Sequence, residues 1–91
     1  MKRNVMLLVD GVTKTKEIDF TEPQARIVGR LMSGEKVTWI NTHRRDGGDF
    51  VWDNYWGNEC VGYRAFTFAI YKIADAFGLK FGEVSDMFHK K

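Results

Sequence analysis

Apolar residues recur along this chain with two different periods, and each change of period marks a boundary between predicted strands and helices. Residues 5–9 are continuously apolar, which is typical of a central strand covered on both faces. Asp10 and Gly11 then predict a tight turn into a second strand. That strand carries Lys14 and Lys16 on one face, so we expect an edge strand whose turn end is exposed to water.

A helix is predicted from about Thr21. Thr21 and Gln24 have the spacing of a capping box, and Pro23 stands in the first turn, where its missing N–H does no harm. Gly34 predicts the C-terminal end. The apolar positions form one stripe, which consists of Ala25, Ile27, Val28, Leu31 and Met32.

Period two returns from residue 36 and predicts a second hairpin, with its turn in the segment 45–49. The turn can be centred on residues 46–47 or on residues 47–48. In both registers the numbers of two paired residues add up to an odd total, so the same four residues share one apolar face: Val37, Trp39, Phe50 and Trp52. We expect Trp39 and Trp52 to lie in the core. Residues 54–58 are expected to form a polar, aromatic loop.

A long helix is predicted from about Cys60 to Phe77, with Gly78 ending it and a short last helix following. Its deepest stripe is expected to be Phe66, Ala69, Ile70, Ile73 and Phe77. The whole chain, residues 1–91, is therefore expected to be one α+β domain with the order ββαββαα. In this arrangement two β-hairpins form a small antiparallel sheet, with one helix between them and two C-terminal helices.

The composition limits the possible functions. The chain has 91 residues, 44% of them apolar and 14% aromatic, which excludes a disordered chain and leaves room for one core. One cysteine and two histidines cannot form a closed zinc site, and no phosphate-binding glycine loop is present, so we expect no metal and no cofactor. The first apolar run is too short for a signal peptide. These features predict a cytoplasmic protein that does not insert into membranes.

The end of the chain carries a helix–turn–helix pattern. The small residue Ala74 precedes Gly78 by four positions, and Val84 follows six positions later. This spacing resembles the helix–turn–helix of bacterial and phage repressors, in which the second helix reads the major groove of DNA. The resemblance covers residues 73–88. It implies nucleic-acid contacts from the last helix and the tail, for which the candidates are Lys80, Ser85, His89, Lys90 and Lys91.

A second basic cluster lies at the predicted hairpin tip. His43, Arg44 and Arg45 precede two glycines, and such a tip can lie along a phosphate backbone. Together with the resemblance, this cluster predicts a small nucleic-acid-binding regulator of the kind that phages or mobile elements encode. DNA and RNA both remain open as partners. The net charge of only +2 by itself indicates no polyanion.

The alternative is a protein-interaction module, for example a phage-encoded inhibitor of a host complex that handles nucleic acids. Its candidate contact residues are Tyr55, Trp56, Phe68 and Tyr71. A homodimer is also compatible with the sequence, because the long helix has more apolar circumference than one small sheet covers. We do not expect an enzyme, since nothing in the spacing orients Cys60 and a histidine as nucleophile and base.

Overall fold

The computed structural model describes the backbone of residues 1–44 and 50–90 and the side chains of residues 1–40 and 53–90. The fold is α+β and the order of the predicted elements is confirmed. The elements are β1 (Lys2–Val9), β2 (Val12–Asp19), α1 (Glu22–Met32), β3 (Thr38–Arg44), β4 (Phe50–Trp56), β5 (Glu59–Cys60), α2 (Arg64–Phe77) and α3 (Phe81–Phe88). The turn predicted at residues 45–49 lies outside the described residues.

The first hairpin pairs β1 with β2 in one uninterrupted antiparallel register, from Lys2 opposite Asp19 to Val9 opposite Val12. Asp10 and Gly11 form the two-residue turn with φ values of 51° and 79°. Positive φ at both central residues is the requirement of a type I′ turn, whose twist matches that of the strands. The turn predicted from Asp10 and Gly11 is therefore confirmed.

One face of β1 is buried and the other is exposed, so the prediction of a central strand covered on both faces is wrong. Val5 and Leu7 are buried, whereas Met6 and Leu8 are 58% and 65% exposed. The described helices contact this hairpin through α1 on β1 and α2 on β2. The predicted exposure of the turn end of β2 is confirmed, since Lys14 and Lys16 are exposed.

The helix α1 begins at the residues that the capping signal indicated. Thr21 is the N-cap, and its backbone N–H donates to Oε1 of Gln24 at 3.0 Å. The same Oε1 accepts a bond of 2.8 Å from Nζ of Lys72, which connects α1 to α2. The predicted stripe is confirmed, with four residues buried and Met32 half-buried: Ala25, Ile27, Val28 and Leu31.

The second hairpin differs from the prediction in three respects. Within the described backbone, β3 and β4 form a sheet of their own with β5, separate from the β1–β2 sheet. The odd register holds from Thr38 opposite Tyr55 to Asn41 opposite Trp52, but a bulge after Asn41 shifts the pairing by one residue. Residues 54–58 are not a loop, because β4 continues to Trp56 and a short turn leads into β5.

The helix α2 begins at Arg64 rather than at the predicted Cys60. Cys60 lies in β5, opposite Tyr55, and Gly62 follows with a φ of 84°, a conformation that interrupts helical periodicity. The predicted stripe is confirmed for Phe66, Ala69, Ile70 and Ile73, while Phe77 is half-buried. The helix ends where predicted, at Gly78, which is left-handed.

The tail after α3 is fixed to the second sheet by backbone hydrogen bonds. The N–H of Val37 donates to the carbonyl of Phe88 at 2.9 Å, and the N–H of Lys90 donates to the carbonyl of Val37 at 2.8 Å. Val37 and His89 thereby form a parallel β-bridge. Val37, Phe66, Val84 and Phe88 are all buried in one core, so this bridge joins the second sheet to the α2–α3 pair.

Gly78 and Gly29 allow a matched test of the helix boundaries. A Cβ at either position meets no described atom within 4 Å, but Gly78 has a φ of +68° whereas Gly29 lies inside α1 without a positive φ. We expect Gly78→Ala to reduce the free energy of unfolding by about 1–2 kcal/mol, because a side chain is strained in the left-handed region. Gly29→Ala should increase it by about 0.5–1 kcal/mol. Urea unfolding of both variants checks this, and equal effects would contradict the assigned conformations.

Candidate interaction surface

Large aromatic side chains project from the outer side of α2. The inner side of the helix is apolar and buried, so its remaining positions face outward. Tyr63, Phe68 and Tyr71 are 49%, 53% and 53% exposed. Phe68 and Tyr71 are neighbours at i and i+3 on the helix surface. Both were candidate contact residues from the sequence, and both are accessible to a partner.

The turn between α2 and α3 adds Phe81 to this surface. Gly78 turns the chain, and the N–H of Leu79 donates to the carbonyl of Ala74 at 2.9 Å. This geometry positions the first residue of α3 beside α2, so that the rings of Phe81 and Tyr71 lie 4.6 Å apart. Such tilted contacts contribute about 0.5–1.5 kcal/mol beyond the area they bury.

Trp39 is the fifth aromatic residue of the surface, and its predicted place in the core is wrong. The side chain is 51% exposed and its ring packs edge-on to His89, with ring centroids 4.7 Å apart. The prediction for Trp52 concerns a side chain outside the described residues. We call the five residues the aromatic strip: Trp39, Tyr63, Phe68, Tyr71 and Phe81.

A hollow of about 180 Å³ opens within the aromatic strip. Its lining consists of Trp39, Asn54, Tyr63, Phe66, Thr67 and Phe81. Most of these side chains are aromatic, and Phe66 connects the floor of the hollow to the core. An engineered apolar cavity of about 150 Å³ takes up benzene, so a hollow of this size can accommodate one apolar side chain.

A polar network lies behind Trp39. His89 is half-buried, with Nδ1 2.6 Å from the carbonyl oxygen of Ser85 and Nε2 2.8 Å from the side-chain amide of Asn54. The Ser85 hydroxyl lies 3.2 Å from Nδ1, and Asn54 and Ser85 are both buried. The network joins β4 to the end of α3 and holds the ring against Trp39.

The protonation state of His89 follows from these partners. A carbonyl oxygen only accepts, so Nδ1 carries a proton. Burial lowers the pKa of His89, more than the bond to Ser85 and the charge of Asp86 raise it. The ring is therefore neutral near pH 7, and Nε2 accepts. Oδ1 of Asn54 lies 2.8 Å from Nε2. We assign the opposite amide orientation, in which Nδ2 donates, because amide orientation is inferred from the hydrogen-bond network.

The described candidate nucleic-acid residues of the last helix and the tail are not all accessible. Lys80 and Lys90 are exposed at opposite ends of α3. Ser85 is only 3% exposed, and both ring nitrogens of His89 contact Ser85 and Asn54. Ser85 is therefore turned away from any groove that α3 could enter.

The basic hairpin tip lies largely outside the described residues. His43 and Arg44 are placed in β3 by their backbone, but their side chains are not described. Arg45 and Lys91 are not described at all. Their predicted contacts with phosphates remain predictions.

Tyr55 and Trp56 were expected on a loop and instead belong to β4, where both are half-buried. Trp56 packs against the core, and the guanidinium of Arg30 lies 3.8 Å from its ring centroid. Arg30 also binds Glu35 through two nitrogens, at 2.8 and 2.9 Å, and Glu59 at 2.9 Å. The hydrogen bonds from Arg30 lower the pKa of the Glu35 carboxyl. Trp56 therefore joins β4 to α1.

Asn54 is the residue that sequence reasoning missed. The sequence predicts a polar loop at this position, yet Asn54 is 3% exposed and contacts a histidine 35 residues later in the chain. The pattern contained one usable signal, because Asn54 continues the alternation of Phe50 and Trp52 on the predicted inner face.

The described part of the chain holds neither a cluster of metal ligands nor a membrane-spanning helix. Among the described side chains, those of residues 1–40 and 53–90, there is no group of three or more His, Cys, Asp or Glu placed to hold a metal ion. Within the same ranges, no helix is both long enough and apolar enough to cross a membrane. Cys60 is exposed in β5.

Comparison with known proteins adds no relative. No protein-family profile, no curated protein and no solved structure matches the chain.

The buried network makes stability depend on pH through His89. Its pKa is lowered on folding, so the unfolded chain binds the proton more tightly than the folded protein. The contribution of His89 is therefore complete above pH 6.5, the ordinary value, and is lost as the pH falls below it. We expect the free energy of unfolding to decrease between pH 7.5 and about pH 5.5.

The variant His89→Gln should be less stable at pH 7.5 and should lose most of this slope, while His43→Gln retains it. Urea unfolding at a series of pH values measures both. A slope that survives in His89→Gln would assign the titration to other groups.

Proposed function

We propose that this protein is a small non-enzymatic binding protein that acts by docking the aromatic strip on another protein. The observation that carries the proposal is the exposure of four large aromatic side chains in the strip, each about half accessible to water. Apolar patches of this kind mark interaction sites in soluble proteins, because leaving them in water costs free energy that a partner recovers. Aromatic residues are also enriched among the residues that dominate binding energy.

The hollow within the aromatic strip indicates the chemistry of the partner. Its volume of about 180 Å³ and its mainly aromatic lining suit one protruding apolar side chain of the partner. Asn54 and Thr67 contribute polar atoms to the lining. A partner that places an aliphatic or aromatic anchor there, with polar groups around it, would match the usual arrangement of an interface core and rim.

Nucleic-acid binding is the second candidate function. It is supported by the helix–turn–helix arrangement of α2 and α3, in which Ala74 and Val84 are buried and Gly78 is left-handed. Glu83 and Asp86 are exposed on α3 and would repel phosphates. Among the described side chains of α3 and its ends, the accessible surface is thus less suited to a polyanion than the aromatic strip is to a protein.

A single exposed cysteine fits a reducing compartment, so we place the protein in the cytoplasm. The role of an inhibitor or regulator, of the kind that phages or mobile elements use against host complexes, is compatible with a small domain that offers one binding surface. The identity of the partner decides between these roles.

The strip is tested by comparing Phe68→Ser with Val12→Ser, since the two wild-type side chains are 53% and 56% exposed and lie on different elements. We expect Phe68→Ser to weaken binding of a captured protein at least tenfold, which corresponds to about 1.4 kcal/mol. Val12→Ser should bind like the wild type. Capture from nuclease-treated lysate followed by calorimetry on the purified pair measures this. Equal affinities of the two variants would overturn the proposed surface.

The second candidate is tested by mobility shift at two or more salt concentrations. Under the protein-docking proposal, neither duplex nor single-stranded nucleic acid is retarded at low salt. Nucleic-acid binding through α3 would instead give retardation, and Lys80→Ala with Lys90→Ala would flatten the log–log salt slope by about 1.8, or about 0.9 for each duplex phosphate. The matched double variant is Lys14→Ala with Lys16→Ala, which removes the same charge from β2.

A further inference from the structure

The outer edge of β1 presents backbone groups that β2 does not use. The N–H of Phe20 donates to the carbonyl of Met1 at 2.8 Å. This bond shows which residues of the two strands direct their backbone groups toward one another. In an antiparallel pair, residues alternate between those that bond to the partner strand and those that point away. With the unbroken register of this hairpin, the even-numbered residues of β1 direct their N–H and C=O groups away from β2. These residues are Lys2, Asn4, Met6 and Leu8.

Within the described backbone, no strand pairs with this edge, because β1 and β2 form a two-stranded sheet. The N–H of Met6 donates to the thioether sulfur of Met32, 3.5 Å away. A thioether is a weak acceptor on a flexible side chain, so a backbone carbonyl would replace it with a gain in free energy. At the centre of the edge, the N–H of Met6 thus has only this weak acceptor.

Met6 and Leu8 are also the two exposed apolar residues of the strand, at 58% and 65%. Natural edge strands are guarded by charges, prolines or bulges, and β2 has Lys14 and Lys16. Residues 4–9 of β1 contain no charge, no proline and no glycine. The edge of β1 therefore has backbone groups that no described strand uses, and an apolar face without guarding charges, which are the features of a strand that can pair with another.

The charges of β1 favour a second copy of the same strand in the antiparallel direction. Lys2 and Arg3 stand at its start, and its first acidic neighbour is Asp10 at the far end. Antiparallel self-pairing with Met6 opposite Met6 brings Lys2 opposite Asp10 twice by symmetry, whereas parallel pairing would bring like charges together. Lys2 already lies 3.7 Å from Glu17, but both side chains are exposed and such a pair contributes little.

We propose that β1 pairs with β1 of a second copy of this chain about a two-fold axis. The result is a continuous four-stranded sheet in the order β2–β1–β1–β2. Met6 and Leu8 of the two copies then cover one another on the outer face. The interface is isologous, because the same edge serves both protomers. This assembly is independent of the aromatic strip, which it leaves accessible.

Backbone substitutions at two opposed positions test the proposal. Met6 and Thr15 face each other in the β1–β2 register, and both direct their N–H groups away from the hairpin. Proline at either position therefore leaves the ladder within the protomer intact. We expect Met6→Pro to abolish dimerisation and Thr15→Pro to preserve it. Sedimentation velocity from about 1 μM to about 1 mM covers the range of moderate dissociation constants.

Amide hydrogen exchange locates the contact without any substitution. The amides of Asn4, Met6 and Leu8 should exchange at least tenfold more slowly at high protein concentration, whereas those of Thr13, Thr15 and Glu17 on the outer edge of β2 should not change. If Met6→Pro fails to fold by circular dichroism, Met6→Lys replaces it and should also prevent dimerisation.

Three results would overturn the proposal. The first is a protein that stays monomeric up to about 1 mM. The second is a dimer in which the amides of Asn4 and Met6 are not slowed. The third is a dimer that Phe68→Ser dissociates and Met6→Pro leaves intact, since the second copy would then occupy the aromatic strip.

Discussion

The packing of α1 against α2 is the contact on which the rest of the structure depends. β1 lies against α1, while β2 and α3 lie against α2, and Val37 and Trp56 attach the second sheet to the same core. The apolar stripes of both helices meet in one buried cluster that includes Val28 and Ile70. In a chain of 91 residues, this cluster must supply most of the hydrophobic stabilisation, because two small sheets cannot bury enough area alone. The aromatic residues that remain on the outer side of α2 are those that this arrangement leaves without a place inside.

The features that could be predicted from the sequence are those decided by local backbone chemistry. Asp10 with Gly11, the cap at Thr21 and the left-handed Gly78 each need only their immediate neighbours, and each is found where the sequence placed it. The failures concern residues whose position depends on a distant partner. Trp39 was expected inside, but its neighbour in space is His89, which arrives only after α3 is complete. Periodicity carries no information about such long-range pairs.

The candidate site shows the same difference between features that depend on local sequence and features that depend on distant residues. Exposure of Phe68 and Tyr71 could be predicted because helical spacing separates an outer face from an inner one. The contribution of Phe81 could not, since it depends on the direction in which the turn sends α3. The hollow could not be predicted from the sequence either, because it forms only when β3, α2 and α3 meet. The molecule thus offers two surfaces of different kinds: the side chains of the aromatic strip, and backbone groups along β1.

The side-chain oxygen of Gln24 affects how α1 and α2 unfold. Oε1 of Gln24 accepts both from the first backbone amide of the α1 cap and from Lys72 of α2. Fraying of the first turn of α1 moves Gln24 and removes this acceptor from Lys72, which retains a bond of 3.2 Å to the carbonyl of Asp19. Separating the helices breaks the bond from Lys72 but leaves the bond from Thr21 to Gln24, which lies within α1. The cap of α1 and the contact between α1 and α2 therefore share one acceptor, which couples them energetically.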